Sequence, residues 1–191
     1  MKNYSVNGNA ELTINSDKIF KKKNYMKNVK TVYIPKEETV SEFPRQEMVN
    51  SPTLKSVYML GEVGKFRGDL MKKLKLETLS GRIHPATHEN KHIYNISDPS
   101  VLKKLHIEAL HPKAYVKKDS VDSLLKEISE AKNLESLTLD GLHITKFPDG
   151  FFLNFPKLTY LSLRGNRIRD PNVLNGISVL QELKELDLSY N

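Results

Sequence analysis

The feature that most constrains this chain is a short leucine phrase that recurs at nearly constant intervals. The phrase Leu-x-x-Leu-x-Leu begins at Leu134, begins again 24 residues later at Leu158, and begins a third time 25 residues further on at Leu183. In the second and third copies an asparagine follows three residues after the final leucine, at Asn166 and Asn191. Similarity at a fixed period of this size predicts stacked structural repeats.

The residue types within the phrase predict a strand followed by a turn. Leu137 and Leu139 alternate with Thr138, and this period of two residues is typical of a β-strand with one apolar face. A strand this short cannot bury that face alone, so each repeat must stack on its neighbours. We expect Asn166 and Asn191 to be structural, each bonding the backbone of its own turn and of the adjacent one.

The phrase Leu158-x-x-Leu161-x-Leu163-x-x-Asn166 resembles that of the leucine-rich repeat family. The resemblance implies an α/β solenoid: a right-handed curved array with a parallel β-sheet on its concave face and short helices, turns and loops on its convex face. Apolar residues with the spacing of one helical face precede Leu134 and resemble the longer, ribonuclease-inhibitor-like repeat: Val121, Leu124, Leu125 and Ile128. Phenylalanines in the next repeat resemble the shorter, typical subtype: Phe147, Phe151, Phe152 and Phe155.

Degenerate copies of the phrase begin earlier, at Val29, Leu54, Leu76 and Leu102, with Gly81 replacing the third apolar residue of the Leu76 copy. Their asparagine position holds other residues, as it does in the Leu134 copy: Glu37, Glu62, His84, Leu110 and Leu142. The early repeats therefore either turn differently or are not all true repeats, and residues 80–100 fit the phrase least. We expect an N-terminal cap or basic lead-in over 1–28, degenerate repeats over 29–101, and clear repeats over 102–191 that are cut short at Asn191.

Composition limits the classes of partner and the cellular locations to be expected for this chain. The 191 residues carry a formal net charge of +7, which permits an acidic, nucleic-acid or anionic-membrane partner. Because the chain has no cysteine, disulfide-bonded caps and a thiol nucleophile are excluded. The sequence shows neither a signal peptide nor an apolar stretch of membrane-spanning length, so we expect a cytoplasmic protein.

The sequence predicts no catalytic, cofactor-binding or metal-binding site. Gly61-Glu62-Val63-Gly64 lacks the Lys-Ser/Thr ending of a phosphate-binding loop. His84, His88 and His92 are spaced by four residues, so they would share one face of a helix and could hold zinc. Pro85 and the polar residues around the histidines instead favour an exposed loop. We therefore expect a chain that is not an enzyme and has no cofactor.

The family resemblance implies a protein partner bound on the concave face by outward-pointing strand residues, and tyrosine and arginine are enriched in such contacts. The same strand periodicity places Thr138 and Ser162 on the outward side. One alternative is that the chain is the recognition part of a larger regulator, receptor or bacterial effector. Another is nucleic-acid or anionic-membrane binding through the basic N-terminal region around Lys21-Lys22-Lys23. The candidate contact residues are Tyr33, Tyr58, His106, Asp140, Tyr160, Arg164 and Asp187.

Overall fold

A computed structural model describes residues 6–7, 10–21, 24–83, 96–109 and 118–191. These ranges contain strands and short helices. The strands are β1 (Val6–Asn7), β2 (Glu11–Thr13), β3 (Thr31–Ile34), β4 (Thr39–Phe43), β5 (Ser56–Met59), β6 (Glu62–Phe66), β7 (Thr78–Ile83), β8 (Lys104–Ala109), β9 (Ser136–Asp140), β10 (Tyr160–Ser162) and β11 (Glu185–Asp187). The α-helices are α1 (Gln46–Val49), α2 (Gly68–Met71), α3 (Lys118–Ile128) and α4 (Asn172–Ile177), and 3₁₀ helices span Asp17–Lys21 and Phe151–Asn154.

Within the described ranges, nine strands form one sheet in the order β1-β2-β3-β5-β7-β8-β9-β10-β11. The first pair, β1 and β2, is antiparallel. All later neighbours in this sheet are parallel. A parallel sheet requires a crossover between successive strands, and the short helices and turns supply it here. The predicted α/β solenoid is confirmed.

The strands align so that equivalent leucine-phrase positions lie side by side. In β7, Leu79 pairs with Val57 of β5 and Leu105 of β8, so the Leu76 copy takes its expected place in the array. Backbone bonds continue the alignment outside the strands; the carbonyl of Lys103, for example, accepts the N–H groups of Glu135 and Ser136 at 2.8 and 3.1 Å. The aligned apolar side chains form one continuous core.

The sheet also includes a strand from the predicted N-terminal lead-in. Leu12 in β2 pairs with Val32 in β3, and both Leu12 and Ile14 are fully buried. A sequence of alternating apolar residues within 1–28 therefore contributes to the common core. The division of the chain into three parts stays a prediction.

The early repeats turn by backbone bonds in place of an asparagine side chain. The carbonyl of Ile34 accepts the N–H groups of Leu60 and Gly61 at 2.9 and 3.0 Å. After β3 the chain enters β4, and after β5 it enters β6. These two strands pair in parallel as a second, two-stranded sheet. Buried Val40 and Phe43 of β4 pack into the same core as the main sheet. Of the two explanations offered by the sequence, the different turn is the one observed here.

The C-terminal turns are held by asparagine as predicted. The side-chain Nδ2 of Asn166 donates to the carbonyls of Leu139 at 2.6 Å and Leu163 at 2.8 Å, and its Oδ1 accepts the N–H of Ile144 at 3.1 Å. One buried amide thus satisfies three backbone groups in two successive turns. Asn191 repeats the arrangement, bonding the carbonyls of Leu163 and Leu188 and the N–H of Ile168.

The convex side follows the two predicted repeat subtypes. Helix α3 buries the residues expected on its apolar face: Val121, Leu124, Leu125 and Ile128. In the next repeat a phenylalanine cluster replaces the long helix, with the rings of Phe151 and Phe155 edge to face at a centroid distance of 5.0 Å. Bulky side chains or a helix therefore fill equivalent space opposite the sheet.

We expect Leu161→Ala to lower the free energy of unfolding by about 2–5 kcal/mol, because its fully buried side chain would leave a cavity. The matched control is Leu186→Ala, since Leu186 pairs with Leu161 in the next strand but is 43% exposed. Urea unfolding of both variants measures the difference. Equal losses of stability would contradict the assigned core.

We also expect Gly61→Ala to destabilise the early repeats. A β-carbon at Gly61 would lie 2.2 Å from the Pro35 carbonyl oxygen and 2.3 Å from that of Glu38, so the backbone would have to move. The control is Gly81→Ala, whose β-carbon would meet the mobile methyl of Met59 at 3.2 Å. Thermal unfolding should show a lower Tm for the first variant than for the second, and the reverse order would refute the close turn packing.

Candidate interaction surface

The strand register places the predicted contact residues on one face of the main sheet. Its central column lies across eight strands and contains three of the predicted aromatic or imidazole residues. Two other members, Thr138 and Ser162, lie in this outward column as the periodicity predicts, but they are only 5% and 1% exposed. The Ser162 hydroxyl donates to Oδ1 of Asp140 at 2.7 Å, so part of its burial comes from the neighbouring strand. The full column is Thr13, Tyr33, Tyr58, Ser80, His106, Thr138, Ser162 and Asp187.

Tyr33 and Tyr58 stack on each other near one end of the column. Their ring centroids are 4.8 Å apart and their planes differ by 11°. This distance is the spacing of neighbouring strands, so the rings stand side by side across the sheet. Burial, followed by the nearby Glu11 carboxylate, raises the pKa of Tyr33.

His106 lies beside the Arg82–Glu108 ion pair near the centre of the face. Its Nε2 is 3.8 Å from Oε2 of Glu108, and the same oxygen accepts a hydrogen bond from Nε of Arg82 at 3.3 Å. Arg82 and Glu108 are directly paired across β7 and β8. An opposite-charge pair at such positions contributes modestly to sheet stability and fixes the carboxylate beside the imidazole.

Asp140 is a partly buried acid whose bonds run to the next repeat. Its Oδ1 accepts the hydroxyl of Ser162 at 2.7 Å and the backbone N–H of Arg164 at 3.1 Å. Both bonds favour the carboxylate, yet burial is the larger effect and raises the pKa of Asp140 above its ordinary value. The group therefore orders the strand end.

Arg164 extends over the ring of Tyr190, with its guanidinium carbon 4.9 Å from the centroid. This cation–π contact includes an aromatic residue that sequence analysis did not select. Tyr190 is 77% exposed and has a left-handed backbone conformation, with φ of 59°. The position of Tyr190 beside the turn residue Asn191 suggested that its side chain is exposed. Its contact with Arg164, however, follows only from the three-dimensional arrangement.

The remaining candidates flank these groups. Tyr160 pairs with Ser136 and Glu185 in the column beside the central one. Asp187 accepts the N–H of Ser189 at 2.8 Å, and the hydrogen bonds from Ser189 lower the pKa of its carboxyl. The seven candidates share a face but form no single pocket: the tyrosine pair lies toward one end and Arg164 toward the other.

Some hypotheses fall on residues that the structure does not describe. Lys22, Lys23 and the three histidines at 84, 88 and 92 lie outside the described ranges. Among the residues that are described, no group of three or more histidine, aspartate or glutamate side chains has a metal-binding arrangement. No helix within the described ranges has the length and apolar character needed to cross a bilayer. Cellular location stays a prediction.

The geometry agrees with comparisons to known proteins. The family model described as "Leucine rich repeat" matches residues 132–191. Residues 132–191 are leucine-rich repeats. Lumican from Rattus norvegicus is 42% identical over 59 residues, which cover 31% of this chain and 18% of lumican. Human 5T4 has a similar structure, with a TM-score of 0.63 at 14% identity, covering 99% of this chain and 81% of that one.

A second solved structure shares the fold. TLR13, crystallised as a complex with ssRNA13, superposes with a TM-score of 0.59 at 23% identity and covers 94% of this chain but 23% of its own. At such identities the similarity concerns the solenoid fold. The chain spans less than a fifth of the length of the curated relatives it matches.

The opposite pKa shifts of Asp140 and Asp187 give a pH-dependent prediction. The raised pKa of Asp140 means that ionisation of its carboxyl lowers the free energy of unfolding. Asp140→Asn should therefore be as stable as wild type at neutral pH or slightly more stable. The gain should be less than about 1 kcal/mol, because solvent screens the charge. Any gain should shrink as the pH falls through the pKa of Asp140.

The same substitution at Asp187 should have the opposite sign. The lowered pKa means that ionised Asp187 stabilises the fold above its ordinary pKa and that this contribution is lost in acid. Asp187→Asn should therefore lower the Tm at neutral pH and match wild type at low pH. Thermal melts of both variants across the acidic range measure the two signs, and parallel behaviour would contradict the assignment.

Proposed function

We propose that this leucine-rich repeat chain is a non-catalytic module that binds a protein partner on the concave face of its parallel sheet. Leucine-rich repeats generally mediate protein–protein interaction, and the curved sheet of a solenoid is an extended binding surface. The observation that carries the proposal is the alignment of aromatic and arginine side chains in columns on this face, outside the core. Their burial is incomplete, so they have contact area to offer.

The side chains of this face suit protein recognition. Tyrosine and arginine combine apolar area with hydrogen-bonding groups and are enriched among residues that dominate binding energy. The stacked Tyr33–Tyr58 pair and the Arg164–Tyr190 pair hold four such side chains in defined positions. Fixed side chains lose less conformational entropy when a partner binds.

The charge of the face favours a protein over nucleic acid. The outward strand positions, together with the adjoining Arg164, carry more acidic than basic residues, although the whole chain has a formal charge of +7. A polyanion gains affinity from clustered lysine and arginine side chains, and this face lacks such a cluster within the described strands. The acidic residues are Glu11, Glu108, Asp140, Glu185 and Asp187, and the basic ones are Arg82, Lys104 and Arg164.

Replacing Tyr160 and Arg164 together by alanine tests the proposal. Neither side chain is in the core, and the bond from Arg164 to Asp140 uses the backbone N–H, so the Tm should be unchanged. A partner captured from the native organism by the wild-type chain, identified by mass spectrometry and then purified, should bind the double variant at least about tenfold more weakly.

The control is the double variant Leu153→Ala and Arg169→Ala, which removes comparable exposed groups outside the concave face. It should bind the partner as tightly as wild type. If the purified partner binds the Tyr160/Arg164 variant normally and loses affinity for this control, the concave face is not the binding surface.

A further inference from the structure

A groove lined by lysines lies at the edge of the main sheet where the strands begin. Its two walls are the segments that lead into β5 and β7. These segments are neighbours in the array, because the carbonyl of Lys55 accepts the N–H groups of Glu77 and Thr78 at 2.8 and 3.1 Å. The groove has a volume of about 310 Å³, and all of its charged lining residues are lysines: Lys55, Lys73 and Lys75.

The groove combines a recessed apolar floor with a polar rim. Leu54 and Leu74 line it but are only 4% and 2% exposed, so their side chains do not protrude from the surface. The three lysines are exposed, and Asn50 and Ser51 add uncharged polar groups to the lining. A ligand in the groove therefore meets positive charge at the rim and apolar side chains beneath it.

Nearby carboxylates leave two of these lysines without a counter-charge. Glu77 is already held by Lys55 at 3.2 Å and by Lys103 at 2.9 Å. Within the described ranges, Lys73 and Lys75 have no carboxylate within 4.0 Å. The groove therefore has two ammonium groups available to pair with an added anion.

The lysine excess at this edge is confined to the early repeats. In the early repeats, the six-residue segments that lead into the strands contain seven lysines and two acids: 25–30, 50–55, 72–77 and 98–103. In the later repeats, the equivalent segments contain three lysines and three acids: 130–135, 154–159 and 179–184. Lysines that served only solubility would not need to be concentrated in one half of the edge, so the excess indicates a site for an anion.

The lining favours an acidic peptide over other polyanions. The described lining has no aromatic ring or arginine on which a nucleobase could stack. A protein that lies on an anionic membrane inserts apolar side chains into it, whereas Leu54 and Leu74 are recessed. A peptide can place carboxylates on the rim and an apolar side chain over the floor, so it matches both parts of the groove.

We infer that the groove of Lys55, Lys73 and Lys75 binds an acidic segment of a protein. This goes beyond the proposed function, because the groove lies at the edge where the strands begin and not on the concave face. The excess of acidic residues on the concave face would repel the same segment, so charge directs it to the edge. Single exposed ion pairs are weak, and the affinity therefore depends on several pairs that form together.

The probe for this site is the peptide acetyl-EELEE-amide, with acetyl-QQLQQ-amide as an uncharged control of similar shape. We expect a Kd of about 0.1–1 mM at low ionic strength, measured from amide shifts at Ser51, Lys55 and Lys75 in NMR spectra. Raising the salt from about 20 to about 200 mM should weaken binding at least about threefold, because exposed charges are screened. The glutamine peptide should cause no such shifts.

Two double variants that remove the same charge localise the binding. Lys73→Gln with Lys75→Gln should weaken binding of the glutamate peptide at least about fivefold, with an unchanged Tm because both side chains are exposed. Lys132→Gln with Lys184→Gln makes the same change in the equivalent segments of the later repeats and should leave the Kd within about twofold of wild type.

The variant with alanine at Tyr160 and Arg164 should bind the glutamate peptide as wild type does. The peptide experiment uses no native partner, so its failure is distinguishable from failure of the concave-face function, which the purified partner tests.

Several results would overturn the inference. They are equal binding of the two peptides, binding that is insensitive to salt, and equal losses of affinity in the two lysine variants. Tighter binding of a DNA duplex or of phosphatidylserine vesicles, lost in the Lys73/Lys75 variant, would show that the groove recognises phosphate and would also overturn the assignment of an acidic peptide.

Discussion

The interaction on which the rest of the structure depends is the backbone pairing between neighbouring parallel strands. Side chains alternate along a strand, so a slip of one residue would turn every core leucine toward solvent. Strands of three to six residues keep positions such as Val57, Leu105 and Leu161 in line. None of these strands could be stable alone, and each depends on the apolar faces of the repeats beside it.

A second constraint acts where the chain leaves each strand, because buried backbone groups must find partners. The C-terminal repeats meet it with a side chain, as the three bonds of Asn166 show. The early repeats meet it with the backbone alone, and this brings successive turns so close that only glycine fits at position 61. The same array therefore contains two solutions to one hydrogen-bonding problem.

The features that the sequence could predict are those that depend on local patterns of residues. The strands and the apolar face of α3 were predicted from the spacing of apolar residues, and the role of Asn166 was predicted from the chemistry of an amide at the turn; all of these are local patterns. The second sheet formed by β4 and β6 was not, because its pairing depends on contacts between convex segments that carry no clear period. The alignment of the candidate surface was also predictable, since it follows from the strand register.

Other properties of the surface required the three-dimensional arrangement. Thr138 and Ser162 occupy outward strand positions, yet they are 5% and 1% exposed, which strand periodicity does not reveal. The raised pKa of Asp140 results from desolvation at the end of a strand, which composition does not reveal. The contact of Arg164 with Tyr190 depends on a turn that brings a residue from the next repeat beneath a guanidinium.

The strand register has a consequence for how the protein can change over evolution. The interval between paired residues is 20 from Leu12 to Val32 and 32 from Leu105 to Leu137, yet the strands meet in the same alignment. The convex segments that connect successive strands account for all of this variation in length. Insertions and deletions there leave the spacing of the concave columns intact. The residues of the concave face can therefore be altered one at a time while the loops behind the sheet lengthen or shorten independently.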